Sequence, residues 1–136
     1  MRRTLRSEVG EVTMRESGMV FARAFHNGEI GLEQAKSYHS LVELLTESEP
    51  HVTVLDISGL KHISKEARDF LAAQSSEWGK TIAVAFITHS FAARTIASFF
   101  LTINRPTYPI KVFKDPIAAH QWAKNEYYKY TTRMAC

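Results

Sequence analysis

The stretch VTVLDISGLKHISKEA, residues 52–67, decides the reading of this chain. Its first six residues, Val52 to Ile57, are short, β-branched and nearly all apolar, the composition of a strand covered on both faces. Ser58-Gly59 ends that strand, and Ser64 stands where a side-chain oxygen can cap the first free N–H groups of a helix. Ala67, Phe70, Leu71 and Trp78 then make an inward helical stripe, and Gly79 supplies the stop. A buried strand, a turn and a capped helix together form the first part of a β-α-β unit.

The pattern continues on both sides. Thr81 to Ile87 is a second buried-strand run, and Ser90 caps a helix reaching about Ile103, ended by Asn104-Arg105-Pro106. Ile110 to Phe113 is a short strand. Asp115-Pro116 places a cap before a proline at the first helical position and opens a last helix through Trp122 and Tyr127. On the N-terminal side, Leu32, Ala35, Tyr38, Leu41, Val42 and Leu45 share one stripe of a helix that ends before Pro50. Before it, the runs Val9–Arg15 and Met19–Phe25, joined by Glu16-Ser17-Gly18, read as a β-hairpin, and Asn27-Gly28 breaks its second strand. The predicted order is β-β-α-β-α-β-α-β-α. This is an α/β fold: one domain over residues 1–136, an N-terminal β-hairpin followed by alternating α and β units, with helices packed on a mainly parallel mixed sheet.

The 136 residues are 45% hydrophobic and 23% charged, ordinary globular usage and enough for a core without disulfide or metal. No window approaches the ~20 apolar residues of a bilayer span, and no apolar run follows Met-Arg-Arg as in a secretory signal. The single cysteine, Cys136, excludes a disulfide framework. These features predict a cytoplasmic protein with no transmembrane segment. The net charge of +3 is divided between Arg2, Arg3 and Arg6 at one end and Lys124, Lys129 and Arg133 at the other. Tyr127, Tyr128 and Tyr130 beside the second group are a weak nucleic-acid signal, and a solvated helix end is the preferred reading.

Motifs for chemistry are scarce. There is no G-x-S-x-G elbow, P-loop or G-x-G-x-x-G fingerprint. The six histidines form no H-x-x-x-H pair and have no cysteine near them, so no metal and no cofactor are expected. Asp56, His62 and Ser64 have the residue types of a hydrolytic triad, but nothing supplies an oxyanion hole, and Ser64 is more simply a helix cap. No enzyme is expected. In parallel sheets, ligands and partners meet the loops at the carboxyl ends of strands, where helix N-termini offer free amides to anions. That places Asp56, Ser58, Lys61, Ser64, Lys65 and Glu66, with His89 and Ser90 after the neighbouring strand, as candidates for partner or anion binding. The alternative is that both are ordinary capped loops.

The opening hairpin, LEQA at 32–35, VLDISGL at 54–60 and ISKEARDFL at 63–71 together resemble the STAS superfamily, the SpoIIAA-like fold of anti-sigma-factor antagonists. FFL at 99–101, NRP at 104–106 and Tyr108-Pro109 look like a bacterial branch of stand-alone SpoIIAA-like proteins. The resemblance implies a non-catalytic regulatory module. Antagonists carry an Asp-Ser-Ser/Thr-Gly stretch at the start of this helix, where a partner kinase phosphorylates one hydroxyl. Here Ser64 falls near the family's aspartate and Lys65 and Glu66 fall at the hydroxyl positions, which argues against the usual switch. Glu66 would hold a fixed negative charge where the phosphate sits, with fewer acceptor oxygens. Ser64 remains open as a modifiable hydroxyl.

Two functions follow from different classes. The first is protein–protein interaction with a regulatory partner through Ser58–Glu66. The second is a carrier or sensor of an apolar small molecule, because the fold is distantly similar to the CRAL-TRIO lipid-transfer group. Phe91, Ile96, Phe99, Phe100, Leu101 and Ile103 also surround more of their helix than one core face requires. A homodimer face using Phe99, Phe100 and Tyr108 is preferred to a pocket there, a fully buried helix is the third reading, and a core without voids would count against the carrier.

Overall fold

The computed structural model describes residues 3–25, 27–78, 80–104 and 106–135, with side chains of 74–78 and 135 outside the description. The expectations resting on Arg2, Gly79, Arg105, Cys136 and the Trp78 side chain therefore lie outside the described residues.

Among the described residues, eight strands and four helices follow one another as β1 (Arg3–Arg6), β2 (Gly10–Glu16), β3 (Met19–Ala24), β4 (Gly28–Ile30), α1 (Leu32–Thr46), β5 (His51–Asp56), β6 (Leu60–Ile63), α2 (Lys65–Trp78), β7 (Thr81–Ile87), α3 (Phe91–Thr102), β8 (Ile110–Phe113) and α4 (Pro116–Ala135). Six strands form one sheet in the order β1-β2-β3-β5-β7-β8. The first three are antiparallel, and β3, β5, β7 and β8 run parallel. The mainly parallel mixed sheet read from the sequence is the one observed.

Three strands lie beyond that reading. β1 is a mixed polar edge strand whose Thr4 hydroxyl bonds to that of Thr13 at 2.9 Å. β4 and β6 pair only with each other, in parallel, outside the main sheet. At three and four residues they are too short to show a period in sequence.

Strands β3, β5 and β7 are sorted by their alternation. Met19, Phe21, Val52, Val54, Ala83 and Ala85 pack against α4 through Ala119 and Ala123, both fully buried. On the opposite face Val12, Val20 and Ala22 meet Val42 and Leu45 of α1, while Val84 and Phe86 meet α3 through Ile96 and Phe100. The alanines of α4 bring that helix close to the sheet, making one face tight.

Caps do the local work the sequence suggested. The Ser64 hydroxyl accepts the Ala67 N–H at 3.1 Å, Ser90 accepts Ala93 N–H at 3.0 Å, and Asp115 accepts Ile117 N–H at 3.0 Å. Helix α1 ends before Pro50, but without glycine: Glu47 and Ser48 both take left-handed conformations, at φ 54° and 57°. Between β2 and β3, Gly18 turns at φ 78°, with the Tyr127 ring of α4 so close that a Cβ would lie 2.2 Å from it. Gly59 is confined differently. A Cβ there would sit 2.7 Å from the Phe25 carbonyl oxygen and 2.8 Å from that of Ala24, so the β5–β6 turn lies directly on the end of β3.

Two glycine-to-alanine substitutions separate these constraints. Gly59→Ala drives a methyl into backbone and is expected to lower unfolding free energy by about 1–3 kcal/mol, the range for overpacking. Gly31→Ala, at φ −100° and facing only the Gln34 side chain at 3.0 Å, should cost under about 1 kcal/mol. Urea denaturation of both variants checks the ranking, which fails if Gly59→Ala is as stable as the parent.

Candidate functional site

Two features occupy the surroundings of β5: a braced pair of loops at its carboxyl end and a cavity along the face that it turns to α1.

The loops come first. Asp56 Oδ1 accepts the Ser58 N–H at 2.9 Å, closing the turn on itself. The Ser58 hydroxyl reaches across to the next strand, donating to the Ile87 carbonyl at 3.5 Å and accepting the His89 N–H at 3.1 Å. Hydrogen bonds thus join Asp56, Ser58 and His89, with Ser90 next in the chain as the cap of α3. Lys61, Ser64, Lys65 and Glu66 form a second set along β6 and the first turn of α2. Ser64 is anchored there by its N–H to the Ile30 carbonyl at 2.8 Å. Lys65 bonds to Asp69 at 2.7 Å, which raises the lysine pKa and lowers that of the aspartate. Lys61, His62, Lys65 and Glu66 are exposed. Asp56 and Ser64 commit side-chain oxygens to backbone N–H groups, which is the capping role rather than that of a triad.

The apolar surface expected at Phe99, Phe100 and Tyr108 is arranged otherwise. Phe100 is buried against Phe86, with ring centroids 5.6 Å apart. Phe99 lies under the Arg68 guanidinium, 4.0 Å from its ring centre, and Tyr108 is half-buried against the core. The apolar side chains that α3 and its end present to solvent are Phe91, Leu101 and Ile103, at 78, 46 and 66% exposure. Helical spacing showed that α3 was apolar most of the way round; it could not say which residues Arg68 would cover.

The cavity lies between α1 and the sheet and measures about 460 Å³. It was expected, if anywhere, beside α3, and only Ile96 and Phe100 of that helix reach it. Its cause is small side chains where α1 crosses the sheet: Ala22 and Ala24 on β3, and Ala35 on the helix. One end is walled by Ile57, Leu60, Ile63, Phe86 and Phe100, the other by Thr46, His51, Lys80 and Thr81. Between them stand Tyr38, Thr53 and Tyr108.

The buried polar residues of this wall are Thr46, His51 and Thr53, with Tyr38 beside Thr53. Burial, reinforced by the neighbouring Tyr108, pushes the Tyr38 phenol pKa well above its ordinary value, and the Thr53 side chain opposes the shift. The Thr46 hydroxyl donates back to the Val42 carbonyl at 2.8 Å. His51 is 5% exposed, and its Nδ1–H donates to the Glu49 carbonyl at 2.9 Å. Burial lowers its pKa; the Glu49 bond opposes that shift and the nearby His39 adds to it. His39 contacts Glu43 one turn along α1 and meets Phe70 edge-on at 5.8 Å.

A depressed histidine pKa has a definite sign for stability. The unfolded chain takes up the proton first, so the contribution of His51 is complete above its ordinary value of 6.5 and is lost as pH falls below it. Denaturation between about pH 7.5 and pH 5 should show stability falling toward acid, with a shallower slope in His51→Asn. Equal slopes would remove His51 as a source.

Comparison with known proteins completes the picture. The solved structure of an uncharacterized protein of the DUF3478 family, with a SpoIIAA-like fold, from Shewanella loihica PV-4 is similar at 19% identity and a TM-score of 0.55. The match covers 90% of this chain and 92% of that one, and at this identity it speaks for the fold alone. No curated protein matches. No described helix is long and apolar enough to cross a membrane. The chain has a SpoIIAA-like fold, and with residues 13–127 matching, it belongs to the family described as a domain of unknown function, DUF7793.

Proposed function

We propose that this STAS-type domain binds an apolar small molecule in the cavity beneath α1, as a carrier or sensor. The observation that carries this reading is the size and lining of that space. Small-molecule sites run from roughly 300 to 1,000 Å³ with mostly apolar walls, and 460 Å³ falls inside that range. Water is a poor filler for walls of isoleucine, leucine and phenylalanine, because it needs two to four polar partners. An apolar guest suits such walls.

A second reading is supported by the row of exposed charges on β6 and α2. Lys61, His62, Lys65 and Glu66 stand on backbone pinned by the Ser58 and Ser64 hydrogen bonds, a rigid ridge suited to a regulatory protein partner. The two readings are compatible, since the helix that follows Ser64 packs against α1, the roof of the cavity.

The cavity reading is tested with N-phenyl-1-naphthylamine, an uncharged dye that fluoresces in apolar surroundings. The parent protein should bind it. Ala35→Phe fills the space from the helix side and should abolish the signal while leaving the melting temperature unchanged or raised; Leu41→Trp serves if that variant does not fold. Absence of dye binding by the parent, or binding unaltered in both folded variants, overturns the reading.

The ridge is tested by the double reversal Lys65→Glu with Glu66→Lys. Capture of a partner from host lysate should weaken without loss of the folded circular-dichroism spectrum, and undiminished capture would rule the ridge out.

A further inference from the structure

We infer that the molecule held beneath α1 is a single-tailed amphiphile whose one polar group is uncharged, an alcohol, aldehyde or ester rather than an ionised fatty acid. This rests on the cavity-binding reading above and adds the chemistry of the head group.

The two parts of the wall differ in kind. Ile57, Leu60, Ile63, Phe86 and Phe100 offer no polar side-chain atom and suit a hydrocarbon tail. Midway, Tyr38 and Thr53 both line the space, with Thr53 near enough to oppose the rise in the Tyr38 pKa. Two hydroxyls carry two O–H protons and four lone pairs, and even a bond between them would use only one of each. The pair therefore retains both a donor and acceptors, the complement of a hydroxyl or a carbonyl. An apolar molecule without any polar group would leave that capacity unmet in a dry site, which is costly.

Among the described residues, no cation lies in the deep part of the cavity to hold an anion; the charged described residues on its wall are Glu11, Arg23, Glu43 and Lys80, and none of them is buried. Arg23 is already bonded to Glu11 at 3.1 Å, and Glu43 contacts His39. His51, the buried histidine of the wall, is neutral at physiological pH. An ionised carboxylate seated among Tyr38, Thr53 and His51 would lose its hydration without gaining a counter-charge, a penalty of several kinds of hydrogen bond at once. Lys80 is the exception to weigh. It has no ion-pair partner among the described residues and stands at the end where β5 and β7 begin, so an acid could reach it only with its head at that end.

Competition against bound N-phenyl-1-naphthylamine tests this, using dodecanol and dodecanoate below their aggregation limits. At about pH 8 the acid is fully ionised. Dodecanol should displace the dye at a concentration at least about tenfold lower than dodecanoate. Tyr38→Phe should weaken dodecanol about tenfold with dye binding retained, and Thr53→Val is the second variant should the first not fold. Equal or tighter binding of dodecanoate overturns the inference, and its loss in Lys80→Ala would then place an anionic head at Lys80. A dodecanol preference unmoved by either hydroxyl variant overturns the role given to Tyr38 and Thr53. Failure of the parent to bind the dye at all is a different result, because it removes the cavity reading itself.

Discussion

Residues 52–55 of β5 must satisfy two layers at once, and the rest of the molecule is arranged by how they do it. Val52 and Val54 turn to α4, where Ala83, Ala85, Ala119 and Ala123 are small enough for the helix to sit almost on the strands. Thr53 and Leu55 turn to α1, across a face where small residues leave space instead. A strand's side chains alternate with a period of two, so a slip of one residue would exchange these sets and place Thr53 under α4. The irregular pairing at His51 and Val52, with Thr81 and Ala83 as their partners, fixes that choice at the start of the strand. With one face packed closely, the other can hold a void without the sheet losing its place.

The sequence made the main frame legible because its elements are long, periodic and punctuated. The stripe from Leu32 to Leu45, the apolar run of β7 and the Ser64, Ser90 and Asp115 caps each name their element without help from tertiary structure. The strands β4 and β6 were hidden for the opposite reason. Three or four residues cannot display a period, and their pairing joins segments some thirty residues apart. The left-handed pair Glu47 and Ser48 was hidden as well, since glycine is the usual residue for that geometry and neither position carries it.

The candidate site was legible in its parts and not in its sum. The residues at the carboxyl ends of β5 and β7 were visible as capping types, and Ser58 does tie the two loops. The cavity was not visible, because a void is a relation between faces. Its signals were present as alanines at 22, 24 and 35 and as Tyr38 and Thr53 on faces otherwise apolar. Alanine on a helix or strand face ordinarily means close approach, as it does under α4. The same residue type closes one side of this sheet and opens the other, and only the distance between layers tells which.

The contact between Gly18 and the Tyr127 ring carries a consequence for how the chain is made. The hairpin of β2 and β3 is complete once its turn has been synthesised, yet Met19 and Phe21 are covered by a helix whose Tyr127 comes about 109 residues later. At translation rates of about 5–20 residues per second, that face waits on the order of 5–20 s on the ribosome. The opposite face is roofed by α1 far sooner. Nascent chains would thus pass through a state in which α1 covers one face of the hairpin while the other is bare.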